Sequence, residues 1–119
     1  FCTREIPLNT GVDFIGAAIK VALGEPVSAG ELEPKYANAV IQRYAFPHPG
    51  KVMKVSGADE ARKIAGIAEV VVTAKEGDII PPAGDKRPSA AMVLATGATR
   101  EAALRAANDA LSHIRIETA

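Results

Sequence analysis

The sequence contains no tryptophan, and aromatic residues make up only 4% of it. That leaves no base-stacking platform for nucleic acid and no aromatic cleft for sugars. Cysteine is nearly absent as well. Cys2 stands alone in 119 residues, so no internal disulfide can form, and a reducing, cytoplasmic setting is expected. Neither sign of charge is in excess: fourteen Lys and Arg balance fourteen Asp and Glu. There is therefore no global electrostatic case for nucleic acid or for an anionic membrane surface. Long apolar runs are missing too. The longest are broken by Lys20, Gly24 and Glu25, short of the ~18–20 residues that a membrane span needs. No signal-peptide layout stands at the start. The chain opens on Phe1 rather than Met, and we expect it to be a piece of something longer.

What is present is ordinary globular composition, 48% hydrophobic and 24% charged, at the length of one domain or of one domain plus part of another. The most structured stretch is Ala95–Glu117. It reads as a strand end, a turn at Gly97, a helix capped by Thr99 and a short closing strand, Ile114–Thr118. Leu104, Ala107, Leu111 and Ile114 recur at helical spacing, so one face must pack, while Arg100, Arg105 and Asp109 fall outside the stripe. A second helix is expected over residues 10–24. Thr10-Gly11-Val12-Asp13 resembles a capping box, and Val12, Ile15, Ala18, Ile19, Ala22 and Leu23 form an apolar face. Gly24 is its expected C-cap and Pro26 stops it. Phe1–Asn9 carries no pattern and reads as loop.

Between these helices, Tyr36–Phe46 and Lys51–Val55 read as strands joined in a hairpin by Pro47-His48-Pro49-Gly50. Ser56–Asp59 signals a short helix to about Ile64, stopped at Gly66. Ile67–Lys75 alternates, with Ala68, Val70, Val72 and Ala74 on one face, and Gly77-Asp78 turns the chain. Ile79–Pro88 reads as loop, and Ser89–Thr96 as a central strand, small and apolar on both faces. The sum is α+β: a mostly antiparallel sheet of about five strands with two helices packed on one face, preceded by a separate N-terminal helix.

Chemistry-bearing residues are sparse. His48 lies between two prolines and His113 ends a helix, where its cation suits the dipole; neither has acidic or cysteine neighbours at ligand spacing. Cys2 lacks the electropositive setting that a reactive thiolate requires. Gly84-Asp85-Lys86-Arg87 could contact a phosphate or carboxylate, although a solvated turn is the plainer reading. Gly97 could mark an anion site at a helix start, or simply a tight strand-to-helix turn. Lys51, Lys54, Arg62 and Lys63, balanced by Asp59 and Glu60, read as a solvated face.

Two stretches together carry a resemblance. Thr10–Glu25, with Thr10-Gly11-Val12-Asp13 at its head and Gly24-Glu25-Pro26 at its end, resembles the helix that follows the catalytic core of ATP-grasp carboxylate–amine ligases. Gly77-Asp78, Ala95-Thr96-Gly97 and Glu101-Ala102 resemble the small C-terminal domain of the same enzymes, which include biotin-carboxylase-like and L-amino-acid-ligase-like members. The L-amino-acid-ligase type is the best match, from about Thr10 to Glu117. The resemblance implies that residues 1–30 are the distal end of an ATP-grasp domain and 31–119 a small C-terminal α+β domain. It implies a parent enzyme using ATP and Mg²⁺ to activate a carboxylate as an acyl phosphate for attack by an amine. The implied partners are the upstream ATP-grasp domain, the small carboxylate and amine substrates of the parent, and a homodimer mate.

The family's nucleotide lysines, metal-binding Glu and Glu-x-Asn, and catalytic Arg precede the Thr-Gly-x-Asp helix, and Arg4 is not at the spacing of that Arg. No catalytic, cofactor-binding or metal residue is therefore carried over, and no cofactor is expected in this piece itself. The rival is a non-enzymatic α+β interaction or ligand-sensing module. A biotinyl-type carrier, prompted by Lys75–Pro82, fits poorly, because the Met53-Lys54 pair lies in a strand.

Overall fold

Strand β5, Ala91–Gly97, is the axis of the molecule. Ala91, Val93, Leu94 and Ala95 are all buried, as expected of a strand apolar on both faces. In the computed structural model, which describes residues 3–82, 84 and 89–119, two strands flank it antiparallel. They are β1, Ala39–Ala45, and β3, Ile67–Val72. A second three-stranded antiparallel sheet is centred on β2, Gly50–Ser56, between β4, Ile79–Ile80, and β6, Arg115–Thr118. The class is α+β with antiparallel strands, as the sequence pattern indicates, but the strands divide between two sheets.

That division removes the expected hairpin. β1 pairs with β5 and β2 with β4 and β6, so the two strands either side of the Pro47–Gly50 turn lie in different sheets. Two prolines within three residues hold the connector extended and lack the N–H groups a tight hairpin would use, so they swing the chain away. Ile79 and Ile80, expected in a loop, instead pair with Lys51 and Gly50. Asp78 shapes the turn before them by accepting the Lys75 N–H at 2.8 Å. In β3 the register shifts at Ala68. The bulge leaves Ala68 exposed and puts Ile67 in place beside Val70 and Val72 on the packed face.

Helix α4, Arg100–His113, lies on that face, with the short helix α3, Ala58–Arg62, beside it. Thr99 caps α4 as expected, accepting the Ala102 N–H at 3.1 Å. The buried surface differs from the expected leucine stripe. Ala103, Ala106, Ala107 and Ala110 are buried, whereas Leu104 and Leu111 are only half-buried at its margins. Small side chains let the helix backbone come close to the sheet. At Gly97, a Cβ would stand 2.8 Å from the Ala103 nitrogen. At Gly57, where φ is +87°, it would stand 1.6 Å from the His113 carbonyl oxygen.

The N-terminal part also departs from the pattern. Glu5–Thr10, expected as loop, forms helix α1, which touches β1 and β5 on the sheet face away from α4. Helices therefore lie on both faces. Helix α2 is Phe14–Ala22, shorter than the expected 10–24. Its cap is Asp13, whose Oδ1 accepts the Gly16 N–H at 2.9 Å, while Thr10 instead finishes α1 by donating to the Ile6 carbonyl. A short 3-10 turn, Ala29–Leu32, follows. The molecule measures 54 × 31 × 23 Å, with a radius of gyration of 17.5 Å. A compact chain of this length would give about 13–14 Å, so part of it projects.

Candidate functional site

A cleft of about 410 Å³ opens between α2 and the 3-10 turn and is lined by Asp13, Lys20, Ser28, Gly30, Glu31 and Lys35. Three of its charged groups, Asp13, Lys20 and Glu31, are already engaged within the chain. Asp13 caps α2, and Lys20 forms an ion pair with Glu31. Glu31 also accepts the Ser28 backbone N–H at 2.8 Å, in the reciprocal manner of a capping box. The Lys20 ammonium first, and then the Ser28 N–H, hold the Glu31 carboxyl below its ordinary value of 4.5. The arrangement clamps the 3-10 turn to α2.

The other candidates are equally plain. His113 turns its Nδ1 to the Asp109 carbonyl, 2.8 Å away, and so finishes α4 as a C-terminal residue should. His48 is exposed. Gly97 is explained by the close approach of α4, and its neighbouring first-turn amide, Ala102 N–H, is taken by Thr99, so the tight-turn reading stands. Lys51, Lys54, Arg62 and Lys63 are exposed, and Arg62 pairs with Asp59 at 2.8 Å. Met53-Lys54 sits in β2. Cys2 and Asp85, Lys86 and Arg87 lie outside the described residues; Gly84 is described and exposed. Among the described residues, no group of three His, Cys, Asp or Glu could hold a metal, and no helix is long and apolar enough to cross a membrane.

Surfaces are more telling than clefts. On α2, Phe14, Ile19 and Val21 are exposed, the last two by 55% and 67%, and its C-cap Leu23 is exposed by 70%. An amphipathic helix with its apolar residues in water is built to be covered. The reading of the chain as a piece of something longer leads one to expect this exposure; periodicity by itself reveals an apolar face but not what lies against it.

Two antiparallel sheets with an alanine-faced helix packed on the larger one define a small α+β fold. Residues 43–119 match the family described as L-amino acid ligase C-terminal domain 2. The chain belongs to that family. Its backbone is similar to the crystal structure of L-amino acid ligase from Bacillus licheniformis, with a TM-score of 0.77 at 16% identity, covering 96% of this chain and 28% of that one. It is similar also to phosphoribosylglycinamide synthetase from Anaerococcus prevotii, with a TM-score of 0.78 at 15% identity, covering 96% and 29% respectively. No curated protein matches the sequence. The chain spans less than a third of the length of the two solved structures.

Proposed function

We propose that this chain is the C-terminal support or lid domain of an ATP-grasp ligase, a longer parent polypeptide that joins a carboxylate to an amine through an acyl phosphate. The observation that carries this reading is the family match over residues 43–119, joined to a backbone likeness that extends across 96% of the chain into α1 and α2. We assign 1–30 to the distal end of the ATP-grasp part and 31–119 to the small domain. Main-chain and side-chain bonds across that division, such as Lys35 N–H to the Thr10 carbonyl and Tyr36 hydroxyl to the Pro7 carbonyl, would hold the two in fixed relation.

ATP and Mg²⁺ would be the parent's cofactors. We carry over no residue of this chain to either: Lys20 is tied to Glu31, Asp13 is spent as a cap, and no group of three His, Cys, Asp or Glu of metal-binding arrangement is present among the described residues. No catalytic step is therefore assigned to them. Their part is to bury the apolar face of α2 against the upstream domain and to brace the substrate pocket's boundary or a homodimer contact. The lone cysteine and the nucleotide chemistry favour the cytoplasm.

The rival, a free-standing interaction or ligand-sensing module, calls for the α2 apolar face docked on its own sheet. Exposure of Ile19, Val21 and Leu23 counts against it. The test is ADP release by the parent with candidate carboxylates and amines. Release dependent on both substrates supports the ligase reading; a parent that never hydrolyses ATP in their presence sinks it.

A further inference from the structure

Four strands stand at sheet edges: β1 and β3 in the larger sheet, β4 and β6 in the smaller. An edge strand presents a row of main-chain donors and acceptors to any further strand. β6 differs from the other three in its charges. β1 carries only Arg43, β3 only Glu69 and β4 none, whereas on β6 Arg115 and Glu117 flank Ile116. Both charged residues are exposed, while Ile116 and Thr118 are half-buried on the other face.

The inner hydrogen bonds of β6 fix what its outer edge presents. Ala119 and Lys51 of β2 exchange bonds of 3.0 Å, N–H to carbonyl in each direction. Alternation then turns the main-chain groups of Glu117 and Arg115 toward β2, and those of Ile116 and Thr118 outward. Among the described residues, no main-chain bond beyond the pairing with β2 reaches either of the two. A second β6 laid antiparallel must set outward residue against outward residue. With Ile116 opposite Ile116, Arg115 stands opposite the partner's Glu117, twice by symmetry. A shift of one step either way sets Arg115 against Arg115, or Glu117 against Glu117. Opposite charges across a strand pair stabilise it and like charges destabilise it, so the charges select the first register. The exposed row then reads Lys54, Glu117, the partner's Arg115 and the partner's Ser56.

We propose that β6 is the contact between two copies of the parent polypeptide, paired antiparallel about Ile116 so that their smaller sheets join into one. The occupant is a second copy because the strand is complementary to itself: a two-fold axis gives Arg115 and Glu117 each its opposite charge. On the inner face Ile116 borders a hollow of about 180 Å³ with Ala45, Phe46, Pro47 and Ile114, and the pairing brings the partner's Ile116 beside it. A pairing this short buries little area, so the dimer is weak and reversible, and its exposed charges make it sensitive to salt. The proposal gives the homodimer contact named above a place, and rests on that reading only for the longer parent in which it is tested.

Sedimentation velocity of the parent over a concentration series tests this, with Arg115→Glu, Glu117→Arg and a one-to-one mixture of the two variants. The wild type should dimerise reversibly. Each variant alone sets like charges opposite one another and should raise the dimer dissociation constant at least about tenfold. The mixture restores both opposite pairs and should bring the constant back to within about threefold of wild type, a repair that misfolded variants could not show. A wild type monomeric throughout overturns the proposal. A dimer untouched by either variant overturns it too, by putting the contact elsewhere, as does a mixture no tighter than either variant alone. ADP release on the same samples keeps the two claims apart. Turnover by a monomer sinks the β6 contact alone, whereas a β6 dimer without turnover upholds the contact and sinks the ligase.

Discussion

Gly57 carries two constraints at once, a left-handed backbone and a carbonyl where its Cβ would be. Either alone costs a substituted residue about 1–3 kcal/mol. Because the obstructing atom belongs to the main chain at the end of α4, it cannot rotate away. Gly57→Ala should therefore lower unfolding stability by about 3 kcal/mol, read from the shift in the urea midpoint at constant slope. A shift below the scatter of the measurement would mean that the α3–α4 approach is looser than described. Glu31 gives a second prediction. A carboxyl held below its ordinary value adds stability above the unfolded value of 4.5 and loses it as pH falls through the folded one. The group is open to solvent, so that contribution is small, and titration reads the shift more directly than unfolding does. Carboxylate NMR should place the Glu31 midpoint below 4.5, and Lys20→Met should move it upward. An unmoved midpoint would assign the shift to Ser28 alone.

Among the elements, α4 shows what patterning reveals and what it conceals. The Thr99 cap, the helix span and the closing strand were all readable from residues close in sequence, and Thr99→Ala should cost about 1 kcal/mol in thermal or urea unfolding. Which side of the stripe is most deeply buried was not readable. Leucines suggested one line, but contact with β5 selects the alanines, because only a small side chain fits where Gly97 lets the helix come close. Ala107→Leu should overpack that contact by about 1–3 kcal/mol, more than Leu104→Ala costs at the half-buried margin. Equal costs would return the leucines to the centre. Strand partners were hidden for a related reason. Pairing of β2 with β6 joins residues about sixty apart, and a two-residue strand such as β4 leaves no period to detect. Within the cleft beside α2, Asp13 stands in the expected capping stretch, whereas the pairing of Lys20 with Glu31, eleven residues on, is made by folding and leaves no local pattern.

At the scale of the molecule, the shape is elongated and the apolar residues Phe14, Ile19 and Val21 of α2 are open to solvent. Taken alone, such a surface favours self-association. Replacing Ile19 and Leu23 with Gln should reduce concentration-dependent association of this chain in sedimentation, and should weaken or misplace the small domain in the parent. Solubility unchanged in both would mean that α2 is not a docking helix. The central claim remains that this domain serves a nucleotide site located elsewhere in its parent. Calorimetric titration of ATP with Mg²⁺ into the parent and into this chain tests it most directly. The account predicts saturable binding by the parent and no heat of binding from the chain. One-to-one binding by the chain itself would contradict it and move the nucleotide site onto this domain.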